Sequence, residues 1–286
     1  MLASDVTFDE KISSYQTDDF WQNFLGSKAI KQLISWKQVP PSNAYLQFLS
    51  KRLKQYHASD LYELLGTAYL REHKYANAVT AFKKAPGMQH SKVKNYYGDE
   101  EATGADPFIS QLPDYPKVYL TAHSREYNKL DFSRAMASLQ KQINASSKNP
   151  DVYYKYATGL YNTATHGNAW FMISYQWSAT DYGRNNQYYY DDDYIKSANA
   201  EQYYLKARRL STNAEFKAKC TFMAAKCRQK QIPDNETGDK YDMLVRQNPY
   251  FRELRDRYKK TAYFKRAVNE CSYLQDFLNA KMKKLK

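Results

Sequence analysis

DLYELLGTAYLREHKYANAVTAFKKA, residues 60–85, is followed at once by Pro86-Gly87. Tyr62, Leu65 and Tyr69 recur at three- and four-residue intervals and share one helical face; Ala78, Phe82 and Ala85 do the same further on. Two such faces predict two packed helices. Gly66 and Ala78 are small where the helices would approach, and His73-Lys74 supplies polar residues for a short turn. Asp60 is expected to cap the first helix with Glu63 completing an acidic capping box, and Pro86-Gly87 to end the second.

The places held by Tyr62, Leu65-Gly66, Tyr69, Ala78, Phe82 and Ala85 make residues 60–86 resemble the tetratricopeptide repeat. The repeat's closing Pro is missing, since His90 falls there. Weaker likenesses cover residues 128–143, where Ala135 and Leu139 resemble the second helix of a degenerate repeat, and 151–209. In the latter, Tyr154, Ala157 and Tyr161 match a first helix and Ala200, Tyr204 and Ala207 its partner; Thr158 stands where the repeat has Gly, and Gly159 one place late. The resemblance implies an all-α superhelix, a tetratricopeptide-like solenoid of imperfect hairpins spanning residues 1–286 as one domain. It also implies that the ligand-facing places of the first helices are Asp60, Glu63, Thr67, Leu70 and Arg71, with Lys155, Asn162 and Thr163 in the weaker repeat.

Composition agrees with helices. The 286 residues are 43% hydrophobic, enough to fill a core, and contain only nine Gly and nine Pro with no sustained Val/Ile alternation. Tyrosine is the outlier: 28 residues, a type that packs its ring while its hydroxyl stays wet, and so suits helix seams and recognition surfaces alike. No apolar run is long enough to span a membrane. The opening residues lack the basic and apolar regions of a signal peptide. The expectation is a soluble protein, with cytoplasm and bacterial periplasm both open. Three Cys make no disulfide framework, and Cys220 and Cys227, seven apart on one predicted helix, are too distant to bridge.

Outward from the repeat, residues 1–13 show no period and are expected to form an irregular lead-in. Phe20, Trp21, Phe24 and Leu25 mark one short helix, Ile30, Leu33 and Ile34 another, and Leu46, Leu49 and Leu53 a third. Glycines and prolines predict an irregular loop over 87–124, whose Asp99, Glu100 and Glu101 lack the ligand alternation of a calcium loop. An aromatic insertion separates the two helices of the weaker repeat. Trp170, Ile173, Ser174 and Trp177 are expected to extend the first of them, and 180–193 to form an exposed loop. Phe216, Cys220, Met223 and Cys227 stripe a further helix, Phe251, Leu254 and Tyr258 another, and Phe264 to Leu278 a final helix capping the solenoid.

No phosphate-binding Gly loop, HExxH, CxxC or GxSxG motif occurs, so no catalytic, cofactor or metal residue is nominated. The expected function is a non-catalytic scaffold binding a peptide or partner helix on the concave face. Two alternatives rest on other residues. Trp170, Trp177, Tyr188, Tyr189 and Tyr190 would form an aromatic platform for a glycan, by analogy with helical-repeat proteins of bacterial envelopes. Arg252 to Lys286, with eleven Lys or Arg against four Asp or Glu in a chain of net charge +13, would attract nucleic acid.

Overall fold

The computed structural model describes residues 20–39, 41–52, 56–87, 92–94, 100–102, 105–110, 112–113, 125–175, 177, 187–233, 236 and 238–279. The expected lead-in at 1–13, Leu53, Asp99 and the Lys-rich end at 281–286 lie outside these residues. The protein is all-helical but for one short antiparallel pairing. After a π-turn at Phe20–Phe24 come α1 (Ser27–Gln38), α2 (Ala44–Arg52), α3 (Ala58–Arg71) and α4 (Tyr75–Phe82). The middle of the chain holds β1 (Lys92–Lys94), β2 (Glu100–Ala102), α5 (Lys129–Asn144), α6 (Pro150–Asn162) and the single turn α7 (Asp191–Tyr194). It ends with α8 (Ala198–Leu210), α9 (Ala214–Gln229), α10 (Gly238–Arg246), α11 (Pro249–Tyr258), α12 (Ala262–Glu270) and α13 (Ser272–Asn279). The principal helices pack mainly on their neighbours in sequence: α1 on α3, α3 on α4, α4 on α5, α5 on α6, α6 on α8, α8 on α9, and α9 on α11 and α12. Their buried side chains form one cluster from Ile30 to Phe277. No helix among the described residues is long and apolar enough to cross a membrane.

The hairpin of residues 60–85 forms as its spacing predicts, with a shift at its start and an earlier end, since α4 stops at Phe82, ahead of Ala85 and Pro86-Gly87. His57 is the N-cap of α3, and Asp60 lies in the first turn, where its carboxylate accepts the His57 backbone N–H at 3.1 Å. Glu63 takes no part in the cap. At the other end, His73 adopts φ 56° and reverses the chain, with its N–H on the Leu70 carbonyl and that of Lys74 on the Tyr69 carbonyl. Phe82 then lies on Gly66, so closely that a Cβ there would come within 2.4 Å of the ring.

The second hairpin pairs α6 with α8 across the insertion, and the same contact is solved differently. Tyr204 takes the place of Phe82, and its hydroxyl donates to the Thr158 hydroxyl at 3.1 Å. A small hydroxylated residue therefore serves where the first hairpin has glycine. Gly159 has its own partner, since a Cβ there would meet Met136 of α5 at 2.8 Å. Tyrosines fill the seams: Tyr75 meets Tyr156 edge-on at 6.0 Å, Tyr156 meets Tyr203 at 4.6 Å, and Tyr154 meets Tyr204 at 5.2 Å.

Four sequence expectations are corrected. Among the described residues the first short helix is the π-turn at Phe20–Phe24. Within 87–124, β1 pairs with β2 in the register Lys92 to Ala102. The insertion does not prolong α6, which ends at Asn162; Trp170–Met172 is a separate 3-10 turn, and α7 interrupts the expected loop at 180–193. The final helix is two. Cys271 is extended at φ −119°, ψ 109°, and breaks α12 from α13, which lets Tyr263 pack on Phe222 and Phe277 on Phe251.

Two predictions follow from this packing. Gly66→Ala should lower the unfolding free energy by about 1–3 kcal/mol through overpacking against Phe82. In urea unfolding, Gly66→Ala combined with Phe82→Leu should cost less than the two changes summed. Burial holds Tyr75, Tyr154 and Tyr204 far above their ordinary value, so each must stay protonated in the fold but can ionise when unfolded, near pH 10. Their stabilising contribution is complete below that pH and is lost as pH rises beyond it. Unfolding midpoints should fall from about pH 10 upward, with the share of tyrosinate absorbance that belongs to the buried rings appearing only as the chain unfolds.

Candidate functional site

One face of α3 carries Glu63, Thr67 and Arg71. The resemblance makes this face ligand-facing, yet all three side chains are buried, Arg71 at 6% exposure and Glu63 at 7%. What covers them is the chain itself. Lys129, the first residue of α5 and 1% exposed, places Nζ 2.6 Å from Glu63 Oε1 and donates to the Thr67 hydroxyl at 3.0 Å. Thr67 donates in turn to Glu63 Oε1 at 3.1 Å, and Tyr175 donates its hydroxyl to Glu63 Oε2 at 2.6 Å. Burial lowers the Lys129 ammonium from its usual range, a shift the Glu63 charge opposes. Burial, reinforced by that carboxylate, pushes the Tyr175 phenol far up, so it stays a donor.

Arg71 spends its guanidinium on backbone and amide groups. Nε donates to the Ile173 carbonyl at 2.7 Å, one terminal nitrogen to the Gln22 carbonyl and the other to Asn23 Oδ1 at 3.3 Å. Its plane lies 4.0 Å from the centre of the Tyr190 ring, and the Tyr190 hydroxyl donates to the same Asn23 oxygen at 2.7 Å. A peptide-like segment therefore does occupy this face, and it is residues 173–175 of the same chain.

The weaker repeat behaves alike. Asn162 is buried and donates its amide to the carbonyls of Pro107 at 2.9 Å and Ile109 at 2.8 Å. Lys226, 2% exposed, donates to the Leu112 carbonyl at 3.1 Å. Thr163 is buried and bonds back to its own helix, and Leu70 is 2% exposed in the core. Of the eight nominated residues only Lys155, exposed and 5.0 Å from the Phe108 ring, and the partly exposed Asp60 reach solvent.

The five rings of the expected platform do not share one surface either. Trp170 is buried, Trp177 donates its indole N–H to the Thr165 carbonyl at 2.7 Å, and Tyr190 is enclosed under Arg71. Tyr188 is half-buried against Phe24 at 5.1 Å, which leaves Tyr189, 45% exposed, as the open ring. In the basic C-terminal region Arg255 is paired with Asp256, while Arg208 and Arg257 share Glu253.

A different face of α3 lies beneath a surface groove, with Tyr62 partly exposed and Leu65 and Tyr69 buried. Between α1 and α4 runs a groove whose floor is Tyr62, Leu65 and Tyr69 and whose walls include Ile34 and Ala81. It encloses about 480 Å³ and is continuous with a neighbouring cleft of about 510 Å³ through Lys31, Ser35, Tyr69 and Asn77. Lys28, Lys31, Lys74 and Lys84 line the two, and no carboxylate is among the described lining residues. The Lys84 ammonium lies 5.0 Å from the Tyr62 ring. Glu72, close by in sequence, is already engaged: it accepts from Lys74 at 2.7 Å and from the Ser27 N–H and hydroxyl at the start of α1.

The sequence missed Lys129, Tyr175 and Asn23. A usable signal existed for the first, because a lysine opening a helix opposes the helix dipole and calls for a specific partner. Compared with known proteins, the chain matches no family model, no curated sequence and no solved structure.

Glu63→Leu should destabilise the fold by about 3–5 kcal/mol, because it leaves Lys129 charged, buried and unpaired. In urea unfolding the double change Glu63→Leu/Lys129→Met should cost less than Glu63→Leu alone, since two apolar groups then replace a desolvated pair.

Proposed function

We propose that the protein is a non-catalytic interaction scaffold, a tetratricopeptide-like α-solenoid of imperfect hairpins closed at its C-terminal end by α12 and α13. Several features support the reading. Helices that pack on their sequence neighbours are what a solenoid requires. The aromatic-on-small contact recurs as Phe82 on Gly66 and Tyr204 on Thr158. The observation that carries the function is the groove between α1 and α4, an open surface with an apolar floor beside a face of α3 already filled by the chain.

A scaffold should hold one defined partner and turn nothing over. Affinity capture with the full chain from its source lysate, followed by cross-linking and mass spectrometry, should recover a stoichiometric protein cross-linked to lysines around α1 and α4. Recovery of no specific protein would overturn the reading.

A further inference from the structure

The groove between α1 and α4 has a chemistry that specifies more than a generic partner. Tyr62, Leu65 and Tyr69 form an i, i+3, i+7 ridge along its floor, and Ala76 and Ala81 keep one wall low. A helix laid against such a ridge can interdigitate its own apolar stripe with it. Four lysines stand around this apolar strip: Lys28 and Lys31 from α1, Lys74 at the hairpin turn and Lys84 just beyond α4. α1 has no acidic residue in its first turn, and Glu72 is committed to Ser27 and Lys74. Lys74 is thus paired, and the charges of Lys28, Lys31 and Lys84 are not balanced by any described lining residue.

We propose that this groove receives an amphipathic acidic helix of a partner protein, its apolar stripe on Tyr62, Leu65 and Tyr69 and its carboxylates facing Lys31 and Lys84. The assignment rests on the scaffold reading and names its partner's chemistry. Neither component suffices alone. Exposed ion pairs contribute little, about 0–1 kcal/mol each, so affinity must come from covering what Tyr62, Ile34 and Ala76 still expose over the buried Leu65 and Tyr69, while the lysines select the sign of the flanking charge and speed the encounter. A nucleic acid would meet the lysines but would have no use for a floor whose Leu65 and Tyr69 are packed flush.

The test is fluorescence anisotropy of the full chain with labelled peptides of about five helical turns. The acidic peptide carries Leu at helical spacing with Glu elsewhere; a second has the same composition scrambled out of register, and a third has Lys in place of Glu. The acidic amphipathic peptide should bind, with affinity falling as salt rises, and the scrambled and basic peptides should bind at least tenfold more weakly. Lys31→Glu/Lys84→Glu should weaken binding at least tenfold with an unchanged circular dichroism spectrum, whereas Lys141→Glu on the exposed side of α5 should leave it unchanged. Equal binding of the scrambled peptide, or displacement by a single-stranded oligonucleotide, would overturn the proposal. So would preferential binding of a peptide of residues 1–19, which has five Asp or Glu and one Lys and would make the occupant a segment of this chain. If no peptide binds while the full chain still captures its partner, the groove assignment falls and the scaffold reading stands; if nothing is captured, the scaffold reading falls as well.

Discussion

The ion pair between Glu63 and Lys129 is the constraint around which the first half of the molecule is arranged. Two charges taken out of water cost several kcal/mol each unless every donor and acceptor finds a partner. Here both carboxylate oxygens are bonded: one Glu63 oxygen takes Lys129 and Thr67, and the other takes Tyr175. The pair can be satisfied only if α5 and the insertion are both in place over α3. Satisfying it therefore fixes the docking of segments that lie 66 and 112 residues away in sequence.

Arg71 extends the same logic about two turns beyond Glu63 along α3. Its donors need carbonyl partners in a fixed fork, and they find them on two separate segments, at Gln22 and at Ile173. Asn162 and Lys226 do for residues 107–112 what Arg71 does for 173. Irregular backbone brought against a helical array must have its polar groups paired, and polar side chains from the helices supply that pairing. The result is an array whose inner polar residues act as internal ligands, so the open surface lies between α1 and α4, where no described segment is clamped in this way.

Tyrosine abundance has the same origin. Rings such as Tyr75, Tyr154 and Tyr204 bring apolar area to the seams, and a hydroxyl that must be paired adds direction, as in the bond from Tyr204 to Thr158. The cysteines are simple packing residues by comparison. All three are buried, and burial pushes the Cys220 thiol up to about 12, so that it stays a thiol at neutral pH.

The sequence by itself determined the helices whose signals are local. The hairpin of residues 60–85 and the pairing of the helices that carry Tyr154 and Tyr204 across the insertion rest on spacings of three and four, so they could be read directly. What those helices face was decided only by the tertiary structure. Glu63, Thr67, Arg71 and Asn162 have the polarity of a ligand-binding surface, and polarity alone does not tell whether the bonded backbone is a partner's or the chain's own. That depended on contacts such as Arg71 to Ile173, 102 residues apart, and Asn162 to Pro107, 55 apart. The break at Cys271 was hidden for the same reason: an apolar stripe continuous from Phe264 to Leu278 fits one straight helix or two bent ones equally well. Only the tertiary structure shows the bend, with Tyr263 packed on Phe222 of α9 and Phe277 on Phe251 of α11.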